Sequence, residues 1–231
     1  RRALRYPRTP AAPVKHFAAG PRNDPARRAL GTRLNALDLI HSTDHDLVTF
    51  ARAGSEQAYR ELLLGRYQRP VFSLVYRMVR DRELAEDLAQ ETFVRVFNHI
   101  DNYNPKYKFS SWIFKIASNL AIDQLRRKEP DTVSLDGSRY ARTDDEVEAS
   151  RITVASSDEN PEELLEAKEL GNEIEMAIGR LRPEYRTAIL LRHIEGRPYE
   201  EIAEIMDVPL GTVKTYIHRA RAELREILAH L

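Results

Sequence analysis

Residues 199–221 read YEEIAEIMDVPLGTVKTYIHRAR, and two helices with a corner between them fit that order. Ile202, Ala203 and Met206 recur at helical spacing on the first segment, and Val213, Ile217 and Ala220 do so on the second, with Leu224 continuing the stripe. Ala203 is small, as a close helix crossing requires. Asp207-Val208-Pro209 turns the chain. Asp tolerates left-handed backbone better than most residues, and Val208 plugs the corner. At about 100° per residue, Thr212, Thr215, Tyr216 and Arg219 fall opposite much of the apolar stripe. Lys214, His218, Arg221 and Arg225 lie on the adjoining flank. One side of the second helix holds a domain together. The other offers hydroxyls, an aromatic ring and cations, the groups that read a DNA major groove. The segment is therefore a helix-turn-helix.

Helical periodicity extends outward from this motif. Asn160-Pro161-Glu162-Glu163 is a helix start, with proline in the first turn and acids facing the positive end of the dipole. Leu181-Arg182-Pro183 marks a turn, and the next helix runs to Gly196. Upstream, a short helix begins near Thr43 and ends at Gly54, and Ser55 caps the next. From Glu56 to about Arg80, Leu62, Leu63, Tyr67, Val71, Leu74, Val75 and Met78 recur at helical spacing. Asp81 caps a helix to about Asn98, with Leu84, Leu88, Phe93, Val94 and Phe97 facing inward. DNYNPKYKFSS, 101–111, is a loop, and Ser110 or Ser111 caps a helix from Trp112 to Lys128. The expected fold class is all-α, with two helical domains, 43–128 and 161–231.

The segments around these domains differ in composition. Residues 1–41 are rich in Arg, Pro and Ala and predict a disordered basic tail. Residues 129–160 lose periodicity, turn acidic and predict a flexible linker. The 231-residue chain balances 36 Lys and Arg against 36 Asp and Glu, so its charge is segregated rather than in excess. It contains no cysteine, which excludes disulfides and thiolate metal sites. No HExxH-like spacing, Gly-rich phosphate loop or nucleophile elbow is present. No enzyme, metal or cofactor is expected. No apolar run approaches a membrane span and no signal peptide is visible, so the expected location is the cytoplasm without membrane insertion.

The first domain carries two unusual faces. In WIFKIASNLAIDQLRRK, 112–128, Trp112, Lys115, Asn119, Asp123 and Arg126 share one face, and Ile113, Ala117 and Leu120 share another. An aromatic, an amide and cations beside a loop holding Tyr103, Tyr107 and Phe109 suit a platform for unpaired bases, which proteins hold by stacking along a basic track. The bland alternative places Trp112 and Phe109 in the core. In DLAQETFVRVF, 87–97, Asp87, Gln90 and Glu91 form an acidic face, more suited to a basic partner than to catalysis.

These motifs together resemble the bacterial RNA polymerase sigma factors of the extracytoplasmic-function group. The resemblance covers about 43–128 and 161–228, in the family's order. It implies a transcription initiation factor. Asp87, Gln90 and Glu91 match the positions that dock on the clamp helices of the polymerase's largest subunit, with the flap as a further contact. The loop 101–111 and the helix after it match the part that recognises and melts the −10 element. Phe109, Trp112 and Asn119 would meet bases, and Lys115, Arg126 and Arg127 the backbone. Thr212, Lys214, Thr215, His218 and Arg219 match the positions that read the −35 element, with Arg221 on their flank. The implied partners are core polymerase, promoter DNA in double- and single-stranded form, and an anti-sigma factor. The rival reading is a helix-turn-helix regulator that ignores core polymerase.

Overall fold

The computed structural model describes residues 36–128 and 161–229. The expected tail up to residue 35 and the expected linker, 129–160, lie outside the described residues. Among these residues every regular element is helical. The first unit holds α1 (Ala36–His41), α2 (Asp44–Arg52) and α3 (Glu56–Tyr59). A π-helical stretch, Arg60–Tyr67, runs on into α4 (Gln68–Val79), and α5 (Arg82–His99) and α6 (Phe109–Lys128) follow. The second unit holds α7 (Pro161–Arg180), α8 (Pro183–His193), α9 (Tyr199–Met206) and α10 (Leu210–Leu228).

Local chemistry sets the boundaries. Thr43 and Asp46 form a reciprocal capping box at α2, satisfying two orphan N–H groups at once. Ser55 and Asp81 accept from Ala58 and Leu84 to open α3 and α5. Asp207 takes φ 55° between α9 and α10, so the corner is left-handed as the sequence predicts. Arg80 takes the same φ at the end of α4.

Three expectations are corrected. Ala36–His41 is helical rather than the end of a disordered tail. Leu39 is buried there, and the Arg66 guanidinium donates to the carbonyls of Leu39, Ile40 and Ser42. Second, α6 begins at Phe109, so Ser110 and Ser111 are helical and buried rather than caps. Third, α5 turns differently. Ala85, Ala89, Thr92 and Val96 face the core, Leu84, Leu88 and Phe93 are half-buried, and Val94 and Phe97 point outward. Small residues permit the close approach of α5 to α4 and α6, which leaves the larger side chains at the edges.

The two units pack against each other. One apolar cluster runs from Leu39 to Ala220. Helix α9 lies on α6, and α8 lies on both α4 and α6. The seam is polar in part. Buried Arg186 on α8 donates to the carbonyl of Met78 at the end of α4, and also to those of Gly179 and Leu181. Arg80 donates to the Glu175 carbonyl on α7, and the Glu175 carboxylate lies 3.8 Å from Arg77. Gly179 leaves room for this crossing, since a Cβ there would meet Cδ of Arg80 at 2.8 Å.

Candidate nucleic-acid and polymerase interfaces

The loop before α6 is fixed from behind. Arg52 on α2 donates to the carbonyls of Ile100, Asp101 and Tyr103 at 2.5–3.2 Å. The Tyr103 hydroxyl donates to the Tyr107 carbonyl at 2.6 Å. The rings of Tyr103, Phe109 and Trp112 then pack pairwise with centroids 5.4–5.7 Å apart. In this cluster Phe109 is core, 2% exposed and edge-on to Tyr67. Its expected direct contact with a base is corrected: its position is behind Trp112, as a support. Trp112 is half-buried.

In front of that cluster lies a cavity of about 520 Å³. Asn102, Tyr103, Asn104, Tyr107, Ser111, Trp112, Lys115, Ile116 and Asn119 line it from the first unit. The structure thus brings Trp112, Lys115 and Asn119 to one concave surface, with exposed Arg126 and Arg127 further along α6. An aromatic ring, amides and a cation around a space of this size suit an unpaired base and its phosphate.

Glu204 and Asp207, from α9 and the corner after it, close the same cavity from the second unit. Sequence reasoning missed this wall. It also missed Glu201, which is 6% exposed and meets Lys108 at 3.1 Å, Arg197 at 2.9 Å and the hydroxyls of Ser110 and Ser111 at 3.4 and 3.1 Å. Burial pushes the Glu201 pKa up, but the hydrogen bond from Lys108, the Arg197 charge and the Ser111 hydroxyl together outweigh it and hold the carboxyl below its ordinary range. Glu201 is therefore ionised at neutral pH. Its contribution to the contact is lost only as acid protonates it below that range. Lys115 pairs with Asp207 at 3.3 Å and Arg126 with Glu184 at 2.6 Å. A carboxylate in the first turn of an amphipathic helix reads as solvated.

On α10, Val213, Ile217 and Ala220 are buried as expected, and Leu224 is half-buried. On α9, the stripe includes Ile205, fully buried, while Ala203 and Met206 are half-buried. Lys214, Thr215, His218, Arg219 and Arg221 are exposed, and Thr212 is half-buried. The Arg219 guanidinium donates to the Tyr185 hydroxyl at 3.2 Å, and Tyr185 packs against Tyr216. Arg221 lies 3.1 Å from Nε2 of His193. Burial, then the charges of Arg221 and Arg192, lower the His193 pKa, so a neutral ring accepts from Arg221 at neutral pH.

On α5, Asp87, Gln90 and Glu91 are all exposed. Glu91 pairs with Arg95 at 2.7 Å, with both side chains about half exposed, a geometry that contributes little to stability. At about 100° per residue, Val94 falls between Asp87 and Gln90, and it is 53% exposed. The acidic face has an apolar centre. Among the described residues no three His, Asp or Glu side chains gather as a metal site, and no helix is long and apolar enough to cross a membrane.

Comparison with known proteins follows the two units. Residues 63–130 match the family model described as Sigma-70 region 2, and residues 171–224 match the one described as Sigma-70, region 4. The ECF RNA polymerase sigma factor SigW of Bacillus subtilis (strain 168) is 38% identical over 180 residues, which span 78% of this chain and 94% of that one. The ECF RNA polymerase sigma-E factor of Escherichia coli (strain K12) is 34% identical over 181 residues, 78% of this chain and 91% of that one. Among solved structures, CnrH in complex with the cytosolic domain of CnrY aligns with a TM-score of 0.58 at 22% identity, covering 82% of this chain and 99% of that one. The sigma factor RpoE in complex with the anti-sigma factor NepR from Bartonella quintana aligns with a TM-score of 0.50 at 23% identity, covering 74% and 95%. At those identities the likeness concerns the fold.

Proposed function

From the premise that this chain belongs to the extracytoplasmic-function RNA polymerase sigma factors and is a transcription initiation factor, we propose a residue-level division of its work. Asp87, Gln90 and Glu91, with Val94 among them, dock on the clamp helices of core polymerase. The cavity at Trp112 takes an unpaired −10 base, with Asn119 at its edge and Lys115, Arg126 and Arg127 along the strand. The exposed face of α10 reads the −35 duplex through Thr212, Lys214, Thr215, His218, Arg219 and Arg221. The chain carries out no covalent step in this reading. Duplex contacts set position, and capture of unstacked bases shifts the closed-to-open equilibrium. By analogy with the solved RpoE–NepR complex, an anti-sigma protein is a further partner.

The observation that supports this assignment most is the cavity, where stacking, amide and cationic groups converge on a space with room for a base and its phosphate. The acidic face is tested through affinity. Glu91→Lys is expected to weaken core polymerase binding at least tenfold, about 1.4 kcal/mol, with an unchanged circular dichroism spectrum. The site is exposed, so the fold loses little. Unchanged affinity in a titration with labelled core enzyme would move the docking face elsewhere.

A further inference from the structure

The reading face of α10 is not held by α10 alone. The Arg219 guanidinium is exposed, yet its Nη1 donates to the hydroxyl of Tyr185 on α8 at 3.2 Å. Tyr185 sits in the first turn of α8 and is 7% exposed. Its ring packs on Tyr216 of α10 with centroids 5.4 Å apart and planes at 50°. A buried ring wedged between two helices fixes where its hydroxyl lies. The long side chain of Arg219 otherwise has many rotamers, and ordering it on DNA costs affinity. Glu223, one turn further along α10, also attracts the guanidinium, and pairing at that spacing draws a cation along its own helix rather than out from it. The Tyr185 hydroxyl opposes that pull by holding one nitrogen. A guanidinium presents its N–H donors in a planar fork. With Nη1 tied back, the Nε–Nη2 edge stays whole. That edge matches O6 and N7 of guanine in a major groove.

We propose that Tyr185 is a positioning residue for promoter reading: its hydroxyl aims the Arg219 fork at one guanine of the −35 duplex and so sets discrimination at that pair without touching DNA. The inference rests on the reading that the exposed face of α10 meets the −35 duplex. Specificity at this position is then a property of two helices. Helix α8 contributes an atom that the sequence pattern of α10 cannot supply. Loss of that atom leaves the charge of Arg219 in place, so general attraction to phosphate persists and only base choice suffers.

The test uses holoenzyme made from core polymerase and the full chain, on a pool of randomised duplexes long enough to span both elements. Closed complexes are collected at low temperature and their bound duplexes sequenced. Arg219→Ala identifies the pair that Arg219 reads, as the one whose preference flattens. Tyr185→Phe removes one oxygen and keeps the ring against Tyr216. It is expected to lower the preference for guanine at that same pair about fivefold, the worth of one hydrogen bond. Preferences at other positions and the thermal melting of the free chain are expected to stay unchanged. Adding Tyr185→Phe to Arg219→Ala is expected to change nothing further, because the two residues act as one unit. Unchanged or sharper preference in Tyr185→Phe, with Arg219→Ala still flattening one pair, would overturn the proposal. The hydroxyl would then be idle, or would hold Arg219 away from the groove. A loss spread evenly over all positions would also overturn it, since it would mark a general weakening of the unit. If Arg219→Ala flattens no pair, the assignment of Arg219 to base reading fails first, and the role of Tyr185 falls with it.

Discussion

Trp112→Ala is expected to leave closed promoter complexes nearly unchanged and to lower the open-complex equilibrium about 5- to 150-fold. The estimate follows from the ring's position. Trp112 lines the cavity while Tyr103 and Phe109 hold it from behind, so one part of the indole is packed and another faces the space. A base stacked on it contributes about 1–3 kcal/mol, and 1.4 kcal/mol is about tenfold. That energy is available only once the base leaves its duplex, so it acts on opening and not on first contact. The measurement pairs a gel-shift assay at low temperature, for the closed complex, with 2-aminopurine fluorescence at the −10 element, for opening. Trp112→Phe should recover part of the loss. Equal losses in both assays would return Trp112 to a purely structural role.

Arg186→Ala carries the largest expected cost to stability, about 3 kcal/mol in urea unfolding. The side chain is buried and donates to carbonyls at the end of α4, at the end of α7 and in the turn after it. Hydrogen bonds from a charged donor contribute about 1.5–3 kcal/mol, and removing the donor leaves buried acceptors unsatisfied. Arg186→Lys should recover only part, since an ammonium lacks the planar fork that reaches several acceptors at once. A loss below about 1 kcal/mol would mean that water replaces the guanidinium at the seam.

Much of this fold was legible before any coordinates. The caps at Ser55 and Asp81 and the left-handed Asp207 follow from side-chain chemistry at each position, which acts over a few residues. The apolar stripe of α10 was legible because its pattern has one reading. Helix α5 was harder. Leu84, Leu88, Phe93, Val94 and Phe97 suggest a stripe of large residues, whereas the packed face uses Ala85, Ala89, Thr92 and Val96. Periodicity alone favours bulk, while close approach favours smallness. The site divided along the same line. Trp112, Lys115 and Asn119 share a helical face and do meet at one cavity, because angular position on a helix is local information. Phe109 fell in the core because α6 begins three residues earlier than its serines suggest. Glu201, Arg186 and Arg197 were not legible. The partners that tie them to the first unit, Lys108, Ser110, Ser111 and Met78, lie 87 to 108 residues away along the chain, and each in isolation reads as a solvated charge.

The central claim is that this chain supplies promoter selection to a polymerase that lacks it. The most direct measurement is run-off transcription from a pool of bacterial genomic fragments, with purified core enzyme and the full chain. The account predicts transcripts from a small set of discrete starts that share −10 and −35 sequences, all reduced with Trp112→Ala and weakened with Glu91→Lys. Transcripts identical to those of core enzyme alone, with no defined start, would contradict it.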